Sequence, residues 1–485
     1  MGGGLAGLSA GLACADAGAA VTLCESRPRL GGATWSFMRD GRWFDNGQHV
    51  FLRCCDQYRA FLARIGSTGG TRLQSKMSIP VLRAGRRPVW LRRSGLPAPL
   101  HLARALACYS PLGVADRARL GTAALALRRL DLADPSLDQV TFGAWLTSKG
   151  QSPQAVARLW DLITQPTVNL PASRASLAMA AKVFQTGLLS DSGAADIGWA
   201  QVPLAQLHGD PAGAALAAAG AEVRLRAKVD AVLVSGGVGG SGGVGGSGGA
   251  GGGGEALGGG GEALGGACEA GSGLAVVVAG ERIEADAVIL AVPHDVAAEL
   301  LPTGALPQAR RLRELGTSPI VDVHLVYDRR VTDLEVAAVL ESPVQWVFDT
   351  TAASGHVGPG QVLAVSLSAA DQWLGAKPAD LIQTFTAALA ELFPRARSAK
   401  LVDSVISRER AATFAPVPGT AALRPGPGTS IPGLAIAGAW TDTGWPATME
   451  GAVRSGNAAA QQVLSGMTPA GARIPAGARI MEEVA

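Results

Sequence analysis

The stretch that decides the fold is the first one, "MGGGLAGLSAGLACADAGAAVTLCES", residues 1–26. Gly2, Gly4 and Gly7 are spaced as G-x-G-x-x-G. In that pattern one glycine permits a tight turn and the second lets backbone approach a pyrophosphate. The third lets a helix pack closely on a strand. The helix that follows offers its unpaired N–H groups to an anion. Next, "AAVTLCES" (19–26) reads as a strand ending in the acid Glu25. Glu25 stands about 20 residues beyond the turn, where a ribose-binding carboxylate belongs. A solvated strand-end glutamate is the simpler reading of the same residue. "RPRLGG" (27–32) then brings Gly31 and Gly32, a second place for close backbone approach. These features in order predict a dinucleotide site.

The far end predicts its other half. "AGAWTDTGWPATMEGAVRSG" (437–456) reads as strand, loop and a helix beginning near Pro446–Thr448. Proline suits a first helical turn, and the positive end of that helix suits an electron-rich ring. An ordinary terminal helix packed on the first domain explains it equally simply.

Working outward, 95–131 reads as two helices, 141–200 as mostly helical, and 42–52 ("RWFDNGQHVFL") as a hairpin. Period-two alternation marks strands at 221–234, 274–293, 318–328 and 361–368. A helix is predicted over 378–393. Between two of the strands lies a segment built on "GGVGGS" and "GGGGEAL" repeats. Its composition cannot bury a core, so it reads as an expanded, disordered hairpin loop at 235–273. The tail, 466–485, repeats "PAGARI" and reads as disordered.

The bulk numbers exclude several classes. A net charge of +3 is too small to argue for nucleic acid. Six cysteines show no zinc or redox spacing, which indicates a reduced, cytoplasmic chain without a metal. No signal peptide and no bilayer-spanning apolar run is evident.

The glycine turn, Glu25, "RPRLGG" and "WPATMEGAVRSG" resemble the FAD-dependent amine oxidase and phytoene desaturase superfamily. More narrowly, "FDNGQHVFLRCCDQYRAFLARIG" (44–66), "VDVHLVYDRRV" (321–331), "SPVQWVFD" (342–349) and "TDTGWPATMEGAVRSG" (441–456) resemble the hydroxysqualene dehydroxylases. The resemblance spans the chain except the Gly-rich segment and the tail. It implies an α/β fold, with a Rossmann-like FAD-binding domain and a mixed-sheet plus helical substrate domain. The FAD-binding parts are expected at 1–75, 201–300 and 406–465, and the substrate parts at 76–200 and 301–405.

Two departures from the pattern stand out. The family has a buried strand before the glycine turn, and here Met1 stands where that strand should end. A start placed too far downstream is the expected cause. Ala439 occupies a position where many members carry an aspartate, which Asp442 is expected to replace.

The cofactor residues implied are Gly2, Gly4, Gly7, Glu25, Gly31, Gly32, Gly438, Asp442, Thr448, Met449 and Glu450. The implied reaction removes an allylic hydroxyl from hydroxysqualene, a triterpene alcohol, and delivers a hydride, giving squalene for a hopanoid-type pathway. Hydroxide leaves poorly, so an acid should protonate it. His49 is the first candidate and Asp45 the second. Each has a plainer reading, a structural hydrogen bond for His49 and a hairpin end for Asp45. His324 reads as structural. Trp346, Trp440 and Trp445 are candidates for the cavity wall or the core.

Leu96, Leu100, Leu120, Leu125 and Leu127 are interleaved with Arg104, Arg117, Arg119, Arg128 and Arg129. That pattern suits either peripheral membrane docking through 95–131 or a solvated helix pair. No second nucleotide site is evident, so an external electron donor is expected. An oxidative carotenoid-type desaturase or amine oxidase, and a flavin-deficient remnant, are the competing readings.

Overall fold

The computed structural model describes residues 1–234 and 273–467. Residues 235–272 of the Gly-rich segment and 468–485 of the tail fall outside the described residues, whereas Gly466 and Met467, expected in the tail, end the last helix. The helix Leu5–Asp16 begins directly after the glycine turn. Strand Thr22–Glu25 pairs in parallel with Glu222–Leu225, and strand Val288–Leu290 pairs in parallel with Leu434–Ile436. These are two halves of one layer, and Met1 and Gly2 lie between them. Gly2 N–H donates to the Cys24 carbonyl at 2.8 Å on one side. On the other, the Met1 amino group donates to Ile289 O and Ala291 N–H donates to Met1 O, both at 2.8 Å. Burial holds the Met1 ammonium below its usual pKa range.

The helix Met449–Met467 crosses Leu5–Asp16 at very close range. Gly456 makes this possible, since a Cβ there would lie 2.1 Å from Ala6 O. Ser9 Oγ bonds Asn457 Oδ1 at 2.5 Å beside the crossing. Gly456→Ala should therefore cost about 2 kcal/mol through overpacking, despite alanine's better helix propensity. Gly466→Ala, in the same helix with open space around it, should instead stabilise by about 0.5–1 kcal/mol. Thermal unfolding of the two variants reads the contrast.

A seven-stranded mixed sheet forms the second unit, with the long strand Ser318–Tyr327 flanked by Gln361–Ser368 and Leu401–Thr413. Alternation divides the faces of the long strand. Val321, Val323, Leu325 and Tyr327 pack in one core with Leu381, Phe385 and Leu389 of the helix Pro378–Leu392. Asp322, His324 and Val326 take the other face, where Phe44 packs on Val326 and edge-on to His324. A separate helical core is built on Leu120, Leu127, Phe142, Trp160, Leu177 and Phe184.

One local reading needs correction. Residues 42–52 are not one hairpin. Arg42–Asp45 pairs with Ser36–Arg39, whereas Val50–Leu52 pairs with Ile197–Ala200 in another sheet. The 141–200 stretch is mostly helical as read, and it closes in that strand. Pro446 lies outside the last helix, which begins at Met449 with Thr448 Oγ1 accepting from Gly451 N–H at 3.2 Å. The strands 229–234 and 274–278 do form an antiparallel pair, with Val234 opposite Leu274.

Candidate active site

The cofactor cradle is made of backbone. Gly2 and Gly31 have φ of +94° and +101°. A Cβ on Gly7 would lie 1.9 Å from Gly2 O, and one on Gly32 2.6 Å from the Gly4 Cα. Gly31 N–H donates to Gly3 O at 2.8 Å, which seats the "RPRLGG" loop against the turn. No side chain caps the helix that starts after Gly4, so its first N–H groups remain for an anion. Glu25 is buried, with Oε2 accepting from Gly3 N–H at 2.5 Å and Oε1 from Arg27 N–H at 2.7 Å. The predicted first-half residues thus meet at one place. A turn stripped of side chains, a free helix start and a strand-end carboxylate fit a dinucleotide such as FAD.

The C-terminal residues divide. Gly438 has φ +150° and donates its N–H to Ser455 Oγ at 2.8 Å. Asp442 is exposed and caps its own loop, accepting from Gly444 N–H at 3.2 Å. Glu450 is buried. It accepts from Tyr58 and Gln57 N–H, at 2.7 and 3.3 Å, at the start of the helix Asp56–Arg64. It also takes Arg454 Nε at 2.6 Å. Buried Arg424 holds the connecting loop by donating to the carbonyls of Trp440, Thr441 and Trp445. Trp445 lies between two cations, with Lys182 Nζ 5.4 Å and Arg454 5.0 Å from its ring. Trp440 belongs to the core and donates to Val292 O. Trp346 lines a separate cavity of 260 Å³ with Asp161, Gln165 and Gln345.

The "DNGQH" segment, residues 45–49, is strapped across the long strand of the seven-stranded sheet. Asp45 Oδ1 accepts from Ser36 Oγ at 2.6 Å and Leu204 N–H at 3.0 Å. Burial pushes its carboxyl up to about 6. Asn46 donates to Ala33 O and to Glu409 Oε1, each at 2.8 Å. Gln48 N–H donates to Asp322 Oδ1 at 3.2 Å. His324 Nε2 donates to Asp45 O at 3.0 Å, and burial lowers its pKa to about 4, so its ring is neutral. His49 is half-buried, and its Nδ1 lies 2.9 Å from Gly47 O. Burial lowers its pKa.

Two groups near this strap escaped the sequence reading. Asp322 is fully buried, and burial raises its carboxyl to about 7. His208, placed by a π-helical turn at Ala205–Gly209, has its Nε2 2.8 Å from Tyr58 OH, and burial lowers its pKa to about 3. Only Asp322 left a signal, its alternation with His324 in "VDVHL".

Of the surface leucines, Leu120 and Leu127 are buried in the helical core, whereas Leu96, Leu100 and Leu125 are exposed. No helix among the described residues is long and apolar enough to cross a membrane.

Comparison with known proteins places this geometry. The family model "Flavin containing amine oxidoreductase" matches residues 5–248 and 268–464. A hydroxysqualene dehydroxylase of Rhodopseudomonas palustris is 29% identical over 96% of this chain and 97% of its own. A zeta-carotene desaturase of Zea mays is 24% identical over 94% of this chain and 81% of its own. Among solved structures, a triple mutant of putrescine oxidase superposes with a TM-score of 0.68 at 21% identity, covering 96% of this chain and 97% of that one. That likeness speaks for the fold alone.

Proposed function

This chain belongs to the flavin containing amine oxidoreductase family and is an FAD-dependent oxidoreductase, and on that premise we propose that it converts hydroxysqualene to squalene by reductive dehydroxylation. The observation that carries the reading is the end-to-end similarity to a hydroxysqualene dehydroxylase, 97% of whose length is covered. The buried acids behind the "DNGQH" strap support it, because removal of a hydroxyl calls for a proton at a site shielded from water.

Gly2, Gly4, Gly7, Gly31, Gly32 and Glu25 would hold the dinucleotide, with Gly438, Thr448 and Met449 completing the far side. When bound, reduced FAD supplies the hydride. The chain itself must orient the allylic carbon, exclude water and protonate the departing oxygen. His49 is the candidate donor. Asp45, whose Oδ1 already serves Ser36 and Leu204, acts as a tie that fixes the strap. Exposed Leu96, Leu100 and Leu125, beside exposed Arg104, Arg119, Arg128 and Arg129, would rest on a bilayer surface from which a triterpene enters. The electron donor is external, and squalene feeds a triterpene pathway of the hopanoid kind.

The test is an anaerobic single turnover. Protein loaded with FAD and reduced should yield squalene by mass spectrometry as the flavin reoxidises. Reduced flavin that persists without squalene would overturn the reading. Polyene desaturation by the oxidised protein would then favour the activity named for the carotene desaturase relative.

A further inference from the structure

The loop Trp440–Trp445 runs between Gly438 and Thr448–Met449, the residues that would complete the far side of the cofactor. Three cations from separate parts of the chain meet on it. Buried Arg424 donates from Nε to Trp440 O at 3.2 Å, and from Nη2 to Thr441 O at 2.5 Å and Trp445 O at 2.9 Å. Its guanidinium also lies 4.9 Å from the Phe414 ring. Lys182 comes from the helix Leu177–Phe184. Leu177, Ala180, Ala181 and Phe184 of that helix enter the helical core, whereas Met179 packs against the core that holds Trp440. Lys182, three residues on, shares the side of Met179 and places Nζ 5.4 Å from the Trp445 ring. Arg454, on the last helix, lies 5.0 Å from the same ring.

The charges on this loop do not balance. Arg454 is paired with Glu450 at 2.6 Å. Among the described residues Arg424 and Lys182 form no ion pair, and the Lys182 ammonium makes no hydrogen bond. Asp442 and Asp138 act on Arg424 only from beyond ion-pair range. Asp442 is exposed, and the Asp138 carboxylate is committed to Ser176 Oγ at 2.5 Å and Ala421 N–H at 2.8 Å. Burial lowers the Arg424 pKa to about 10, which leaves it charged at neutral pH. Burial and then the like charge of Arg454 lower the Lys182 pKa, with Cys54 opposing them. Cations drawn out of water without a counter-charge are costly, and an anionic ligand removes the cost.

We propose that Lys182 and Arg424, together with the start of the last helix, form a positive frame that holds FAD more tightly reduced than oxidised. Taking up two electrons and one proton gives the flavin ring a negative charge, and nearby cations and a helix N-terminus favour it. The electrons come from the external donor. Neither side chain is a catalytic residue. Each tunes the cofactor through its charge, so that the chain is reduced readily and keeps its reduced cofactor until substrate arrives. The inference rests on FAD as the cofactor and not on hydroxysqualene as the substrate.

The experiment is an anaerobic reductive titration of the full-length protein loaded with FAD, with dithionite as reductant and a reference dye. Bound FAD should have a midpoint potential at least about 30 mV above that of free FAD, which corresponds to reduced cofactor held about tenfold more tightly. Lys182→Met should lose about that tenfold preference, Lys182→Arg should keep it, and Arg424→Met should move in the same direction as Lys182→Met. Without cofactor, Lys182→Met should unfold at the same temperature as the unaltered chain or higher, because the ammonium it removes has no acceptor. A bound potential at or below that of free FAD would overturn the proposal. So would an unmoved potential in Lys182→Met, and a lower unfolding temperature beside it would make Lys182 a structural residue. Should Arg424→Met fail to fold, Lys182→Met decides. Should that variant load no FAD, the potential of the unaltered protein decides. A chain that takes up no FAD would remove the flavin reading as well, whereas FAD bound at a low potential removes this inference alone.

Discussion

A chain carrying His49→Gln is expected to release squalene at least about a hundredfold more slowly than the unaltered protein, with its flavin content unchanged. Glutamine preserves the approximate reach of the ring and can still donate to the Gly47 carbonyl. It cannot carry an acidic proton to a leaving oxygen. Among the described residues His49 makes no hydrogen bond to the glycine turn that forms the cradle, so FAD should still load. The rate of flavin reoxidation after adding hydroxysqualene without oxygen is the measurement. In the unaltered protein that rate should rise as pH falls toward the His49 pKa, because burial keeps the ring neutral above it. Asp45→Asn should separate the two original candidates. It disturbs the bonds to Ser36 and Leu204 and so lowers stability more than rate. A His49→Gln enzyme as fast as the unaltered one would remove His49 from the chemistry.

The second large effect is on stability. Asp196→Ala should cost about 3 kcal/mol, read as a shift in the urea midpoint. Asp196 has a fully buried side chain. It accepts from Arg93 Nε at 2.6 Å, Arg53 Nε at 2.9 Å and Met77 N–H at 2.7 Å. Removing it leaves two guanidinium groups facing one another and a buried N–H unpaired. Arg53 remains about a third exposed, at 37%, so solvent relieves part of the charge and the lower end of the range for broken buried pairs applies. Burial alone would raise the Asp196 pKa, but Arg93 and Arg53 outweigh it and hold it below the usual carboxylate range. The sign follows. A depressed carboxylate stabilises the fold above its ordinary pKa, and the contribution is lost as pH falls through the folded value. The difference between the variant and the unaltered protein should therefore shrink in strong acid.

Much of the cofactor half was legible in the sequence because its signals are local. Gly2, Gly4 and Gly7 specify a turn by spacing alone, and Glu25 ends a strand visible from "AVTLCE". The catalytic half was less legible. Asp45, Asn46 and Gly47 have the chemistry of a hairpin turn. Asp45 does end a hairpin, bonded to its cross-strand partner Ser36, but it also takes Leu204 N–H and Asn46 reaches Glu409, contacts 159 and 363 positions away that no local pattern announces. Asp322 meets Gln48 across 274 positions, and its burial beneath the strap is a tertiary fact. Glu450 was expected at the cofactor through the resemblance of its motif alone. Its carboxylate serves a different helix, and helix position does not say which neighbour a side chain will choose.

The antiparallel strands 229–234 and 274–278 keep residues 234 and 274 face to face. Their register is fixed by the ladder itself, so the mouth of the connection is set independently of what joins it. Closing a longer connection costs only about 0.6 kcal/mol for each doubling of its length. The same mouth is a natural port for grafting a reporter domain.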